Sequence, residues 1–151
     1  MSEIRNLEVM RAYHEHWNNA DADGVLSMFA EDSRNHGKPL GRAGLEPTIR
    51  DIFTMFPDIQ INVIEIVAKD DQVIVRCRYS GTHQGTGATS VYGGYLQRIR
   101  PTGRYFDVQQ THWMTLCDGQ IVEHQSNRDD LGMMVQLGLL PKSSSQVPKH
   151  V

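Results

Sequence analysis

The chain lacks most of the features that would assign it quickly. Its 151 residues contain two cysteines, Cys77 and Cys117, with no CxxC pair and no HExxH, so the common zinc-binding spacings are missing. There is no GxxxxGK[ST] motif. The stretch GTHQGTG runs from a strand into a loop rather than opening a helix, which argues against a phosphate loop. No run of roughly 18 apolar residues is present to span a bilayer, and MSEIRNLEV at the N-terminus lacks the apolar segment of a signal peptide. A cytoplasmic location is the expectation. Positive charge is not in excess: 15 Lys and Arg against 18 Asp and Glu leave a net charge of −3. That balance gives no electrostatic footprint for nucleic acid or an anionic membrane. In a reducing cytosol the two cysteines, each inside a predicted strand, are expected as buried free thiols rather than a disulfide. Internal repeats are absent, and the one low-complexity stretch is the tail beginning Lys142-Ser-Ser-Ser.

What is present suits one domain with a single core, residues 1–140, followed by a disordered tail over 141–151. Leu7, Met10, Tyr13, His14 and Trp17 recur at helical spacing, which predicts a first helix to about Asn18. Asp23 is placed to cap a second short helix with Val25, Leu26, Met28 and Phe29 inward. The turn-rich AEDSRNHGKPLGRAG reads as a loop with room for a short strand. Leu45, Ile49, Ile52, Phe53 and Phe56 mark a third helix, with Pro47 tolerated in its first turn. Strands follow over Ile59–Ala68 and Gln72–His83, then a glycine-rich connection from Gly85, a strand near Tyr95–Arg100, and a turn at Pro101-Thr102-Gly103. On the second of these strands, Arg76 and Arg78 could face inward, pair with an acid, or lie exposed. Asp129 or Asp130 can cap a last helix with Leu131, Met134, Val135 and Leu137 as its apolar stripe and Gly138 as its stop. Helices followed by an antiparallel sheet define an α+β fold, and a curved sheet wrapped over a helix encloses a pocket.

The segment Val108–Arg128, VQQTHWMTLCDGQIVEHQSNR, reads as a β-hairpin closed at Asp118-Gly119. A two-residue turn pairs Cys117 with Gln120 and sets His124 beside Trp113. A three-residue turn with a glycine bulge pairs Leu116 with Gln120, His112 with His124, and Gln110 with Ser126. The second register sorts the apolar residues better, placing Phe106, Val108, Met114, Leu116 and Val122 on the face that carries Gln110, His112, His124 and Ser126. Four hydrogen-bonding side chains on an apolar wall suggest a ligand cavity.

These segments resemble the SnoaL-like polyketide cyclases, whose fold is the nuclear transport factor 2-like cone. The likeness runs from about Ala12 to Leu140. It rests on Trp17-Asn18 before an acidic turn, Asn35-His36-Gly37, Phe56-Pro57-Asp58 and Gly81-Thr82-His83-Gln84-Gly85. Farther along it rests on Pro101-Thr102-Gly103-Arg104, Asp118-Gly119-Gln120-Ile121-Val122-Glu123-His124, Asp129-Asp130-Leu131-Gly132 and Gln136-Leu137-Gly138. The resemblance implies a cone of curved antiparallel sheet over N-terminal helices, a homodimer or higher homo-oligomer, and ring closure of a polyketide by intramolecular aldol chemistry without metal or organic cofactor. It maps Gln110, His112 and His124 onto the family's polar pocket residues. It also puts the catalytic aspartate at position 126, where this chain has Ser126, a very poor base. The connection from Gly85 to Tyr95 is longer than the family suggests and could form a lid or an altered rim.

His112 and His124 are accordingly the candidate base and enolate hydrogen-bond donor, with the structural alternative that both are simply satisfied. Gln110 suits carbonyl binding, since an amide does not titrate. Asp129 is the nearest acid after Ser126, although regular alternation points it away from His124 and a helix cap is its other role. Ser126, Asn35, His36, Tyr13 and Trp17 are candidate ligand contacts, the last two also suiting the core. No metal is expected: His14 and His16 point to different faces of a helix, and His112 and His124 lack a third ligand. Three readings remain: an enolate-type cyclase, a hydroxylase using dioxygen and a reduced aromatic substrate, and a non-catalytic module. Each takes a hydrophobic aromatic or polyketide-like small molecule, without nucleic acid or membrane as partner.

Overall fold

The inner face expected for the first helix is formed by Met10, Tyr13, His14 and Trp17, all buried on α1 (Ser2–Asn18). Asn18 ends that helix and stitches it to the sheet, accepting from the amide of Ile61 at 2.7 Å and donating to its carbonyl at 3.0 Å. A short α2 (Ala22–Ser27) follows, capped by Asp21 rather than Asp23. Asp21 Oδ1 accepts from the amide of Gly24, whereas Asp23 pairs with Arg50. The computed structural model describes residues 2–141, so the disordered-tail expectation for 142–151 lies outside the described residues.

The turn-rich segment supplies a full strand, β1 (Phe29–Asn35), and α3 (Gly41–Met55) then begins earlier than expected. Pro47 consequently sits inside α3, beyond its first turn. Four longer elements complete the fold: β2 (Gln60–Lys69), β3 (Gln72–Thr82), β4 (Tyr105–Cys117) and β5 (Gln120–Arg128), ahead of α4 (Asp130–Gln136). The curved five-stranded sheet runs in the order β1-β5-β4-β3-β2. All neighbours are antiparallel except β1 and β5, which run parallel. Its inner face packs on α1, α2 and α3 through one core that includes Phe29, Ile49, Phe56, Val75, Val108 and Ile121.

Two local expectations are corrected. Tyr95–Arg100 is not a strand but a run of turns, anchored by the wholly buried Leu96 and by an isolated pairing of Gly87 with Gln97. In α4 the buried residues are Met133 and Met134, with Leu137 just after, while Leu131 and Val135 are exposed. The helix is only seven residues long, and its direction is set by the Asp129 cap on Gly132 and by the left-handed Gly138 that ends it. Both cysteines are free, but only Cys77 is buried. Arg76 and Arg78 turn outward and pair with Glu65 and Asp107. Among the described residues no helix is long and apolar enough to cross a membrane.

The hairpin closes with two residues, Asp118 and Gly119, both left-handed, as a type I′ turn requires. Cys117 therefore faces Gln120 and Leu116 faces Ile121, which overturns the three-residue turn. One residue further a bulge intervenes, because Thr115 pairs with Glu123 and leaves Val122 unmatched. Beyond it His124 lies opposite Met114, and His112 opposite Ser126, so the expected pairings of His112 with His124 and Gln110 with Ser126 are each displaced by two residues. The inner face still carries Gln110, His112, His124 and Ser126, since a two-residue displacement preserves the face. Ile121 replaces Val122 as the buried residue near the turn.

Candidate active site

Between the concave sheet and the helices lies a cavity of about 460 Å³. α1 contributes Tyr13, His14 and Trp17, and the sheet contributes Cys77, Tyr79, Gln110, His112 and His124. The mouth is bordered by Asn35, His36, Lys38, Ser126 and Arg128, and by Ser90–Gly93 of the long connection. The structure thus gathers Gln110, His112, His124, Ser126, Asn35, His36, Tyr13 and Trp17 around one space. It leaves out Asp129, whose carboxylate caps α4 at 2.8 Å from the amide of Gly132. Tyr13 and Trp17 are nearly buried in the core and also line the cavity.

A chain of contacts crosses the sheet wall. His112 Nε2 lies 2.8 Å from Gln110 Oε1, His112 Nδ1 2.9 Å from His124 Nε2, and His124 Nδ1 3.0 Å from Asn35 Oδ1. The two imidazoles stack, 5.2 Å between centroids and 7° between planes. Asn35 is held in reach because the next residue, left-handed His36, donates its amide to the carbonyl of His124. Proton counting makes this chain informative. With both amide oxygens facing the rings, the four ring nitrogens must carry three protons, which is one imidazolium in the pair. Turning either amide so that its NH₂ donates keeps every contact and leaves both rings neutral. Burial, reinforced by the neighbouring His14, Arg128 and His36, lowers His112 to about 4. Burial and the neighbouring His112 push His124 down as well. The neutral pair is therefore the resting form near pH 7.

His14 is a site residue that the sequence reading passed over, treating it as helix packing and as a failed metal ligand. It lines the cavity, is 9% exposed, and its ring makes no hydrogen bond with any described residue. Desolvation lowers its pKa to about 4, so it too is neutral. The signal in the sequence was its position one residue after Tyr13 on the inward face. Arg128 and Tyr92 were also missed, because both sit where strand or loop geometry had to be known first.

The long connection is built over the mouth. Asp51 of α3 clamps it, accepting from the amides of Ala88 (2.9 Å) and Thr89 (3.0 Å) and from the Thr89 hydroxyl (2.7 Å). Burial opposes the Asp51 charge, but these donors outweigh it and lower the pKa. Tyr92 then inserts into the cavity from a left-handed conformation (φ 55°, ψ 40°), uncommon for a side chain of its size. The Arg128 guanidinium lies 5.4 Å from the centre of its ring. Two donors on this wall, Trp17 Nε1 and the Tyr92 hydroxyl, are shut off from solvent, each beside a tyrosine hydroxyl, of Tyr13 and Tyr79 respectively. Among the described residues no cluster of three His, Cys, Asp or Glu could hold a metal ion.

The α+β cone with a polar-lined internal cavity has the nuclear transport factor 2-like architecture. The family model described as SnoaL-like polyketide cyclase matches residues 7–137, and the chain belongs to that family. Solved structures agree. IdmH from Streptomyces antibioticus, a candidate polyketide cyclase, is 28% identical with a TM-score of 0.70, covering 88% of this chain and 98% of that one. AclR from Streptomyces galilaeus, a candidate hydroxylase, is 24% identical with a TM-score of 0.76, covering 92% and 99%. A SnoaL-like protein from Jannaschia is 23% identical with a TM-score of 0.74, covering 92% and 95%. No curated protein sequence matches significantly.

Proposed function

We propose that the cavity takes an aromatic, polyketide-like carbonyl compound and promotes enolate formation followed by intramolecular aldol closure, with a neutral imidazole as the base. One observation carries this reading: the cavity wall contains four histidines and no carboxylate. Family membership supports a polyketide-type substrate, and the resemblance puts Ser126 where the family acid would stand, which points to a base elsewhere on the wall. His14 is the best placed group. It is neutral near pH 7, faces the cavity, and has no hydrogen bond occupying its lone pair. By contrast, all four ring nitrogens of His112 and His124 are engaged.

In the proposed step the His14 lone pair takes a proton from carbon α to a carbonyl, and the C–H electrons become the enolate. The enolate carbon attacks a second carbonyl of the same molecule, forming one C–C bond and an alkoxide that recovers the proton from the His14 imidazolium. Nothing is oxidised or reduced, so the balance requires no cofactor. The His112–His124 pair acts beside it as a polar wall that can hold an extra proton when both amide oxygens turn inward. With its pKa lowered to about 4, His14 is intrinsically a weaker base than free imidazole, so its acceleration comes from being positioned against the acidic carbon.

The neutral ketone 2-tetralone tests this without the natural substrate. Deuterium uptake at its C1 from D₂O, followed by NMR, should exceed that with equimolar free imidazole and drop to that level in His14→Phe. Uptake no faster than with imidazole refutes the enolate reading. Uptake that survives His14→Phe moves the base to another residue.

A second reading rests on the same carboxylate-free wall. Such a wall also suits holding an electron-rich phenolate for reaction with dioxygen, a step in which no protein carboxylate is required. Dependence of turnover on oxygen would favour it, and equal rates under nitrogen would exclude it.

A further inference from the structure

The mouth of the cavity is bordered by Arg128, Lys38 and His36, and no acidic side chain lines any part of the wall, although the protein as a whole carries −3. Asp130 answers only half of the Arg128 guanidinium, accepting from Nε and Nη2 at 3.1 Å each. Nη1 is left with Ser126 Oγ at 3.4 Å. The other neighbour of that hydroxyl is His36 Nε2, also at 3.4 Å. Both contacts are long for hydrogen bonds to a hydroxyl. Arg128 and His36 thus converge on one point from two elements, β5 and the turn after β1, with only a short neutral side chain between them. A hydroxyl at this distance leaves Nη1 without a full hydrogen bond. A ligand carboxylate would accept from it with a charge-assisted bond in a partly desolvated setting.

We infer that this protein selects ligands bearing a carboxylate, which binds above Ser126 against Arg128 and His36 with its aromatic body in the cavity. The ligand thus supplies the negative charge that the resemblance places on the protein in the family, and the serine is the residue that makes room for it. The aromatic body fits the deep wall of Tyr13, Trp17 and Tyr79. This selectivity rests on the small-molecule reading of the cavity, but not on any particular reaction there.

Calorimetric titration at pH 7 and low salt with anthraquinone-2-carboxylate, its methyl ester and its primary amide tests it. The acid should bind the native protein at least about tenfold more tightly than either neutral form. Arg128→Gln should bring the three within about threefold of one another. Ser126→Asp should reverse the order, because a fixed carboxylate repels the ligand's own and leaves the ester unaffected. If Arg128→Gln proves unfolded by circular dichroism, Ser126→Asp alone decides. Equal affinity of acid and ester for the native protein overturns the selectivity while leaving the cavity as a ligand site. Binding of none of the three overturns both. An acid preference that persists in Ser126→Asp overturns the location.

Discussion

His14 makes the stability of this protein depend on pH in a way that can be worked out from one residue. Its ring is buried without a hydrogen-bond partner, and desolvation is the sole cause that lowers its pKa, to about 4 from the ordinary 6.5. The folded state therefore resists a proton that the unfolded chain accepts, and the associated stability is present above pH 6.5. It falls as pH drops from about 6.5 towards 4, then levels off once both states are protonated. At pH 5 the unfolded histidine is almost fully charged and the folded one is about nine-tenths neutral. The difference is about 2 kcal/mol relative to pH 7, a large share of a typical domain stability of about 5–15 kcal/mol. Urea unfolding of the native protein and of His14→Gln, at pH 5, 6 and 7, isolates this contribution. Carboxylates and the other histidines titrate in both proteins and cancel in the comparison. The native protein should lose about 2 kcal/mol more than the variant between pH 7 and pH 5. Parallel losses, or an NMR titration of His14 centred near 6.5, would refute the assignment of a buried neutral imidazole.

Other perturbations follow from the same geometry. Asp51→Ala removes the acceptor that clamps the connection at Ala88 and Thr89. It should cost about 2 kcal/mol and speed hydrogen exchange of those two amides by mass spectrometry; unchanged exchange would show that the clamp is not holding the segment. Tyr92→Phe deletes a buried hydroxyl that lies beside that of Tyr79. It should lower the melting temperature by a few degrees, as loss of one buried hydrogen bond of about 1 kcal/mol does; an unchanged or higher value would show that the hydroxyl makes no useful contact there. Burial pushes the Cys77 thiol up to about 11, whereas Cys117 is exposed. A thiol reagent at pH 8 should therefore label one cysteine quickly and the other only on unfolding; two fast thiols would contradict the packing around Cys77. Sedimentation equilibrium tests the expected homodimer, which a monomer at micromolar concentration would exclude.

The parts of the fold that the sequence disclosed are those where a single periodicity controls burial. α1 shows its inner face at three- and four-residue spacing, and β3 alternates cleanly from Val73 to Tyr79. The parts it concealed depend on contacts between distant segments. β1 has a polar, turn-rich sequence and exists because it pairs in parallel with β5. Tyr95–Arg100 looks strand-like in composition, yet no neighbouring strand offers it a ladder, and Leu96 alone is drawn into the core. His14 falls between these cases. Its place on the inner face was visible, but whether a buried imidazole finds a partner is settled only by what stands across the cavity.

The hairpin shows why a site can be legible when its geometry is not. The expected three-residue turn and the observed two-residue turn differ by one residue in register, enough to send His124 to the outer face beside Trp113. The bulge at Val122 adds the compensating residue, so both histidines return to the inner wall. Burial is the physical reason for the compensation. Without the bulge, Ile121 on the inner face would be followed by Glu123 and Gln125 turned into the core, where unpaired polar groups are costly. With it, Ile121 and then His124 and Ser126 point inward, while Glu123 stays outside to reach Arg34 and the amide of Gly37. Alternation of apolar residues reports the face, which the energetics protect. It does not report the pairing, which a bulge changes at little cost. That two-residue offset sets His112 and His124 on diagonal rather than opposed positions. On that diagonal the two rings stack and share a hydrogen bond between His112 Nδ1 and His124 Nε2, and the outer nitrogens remain free for Gln110 and Asn35.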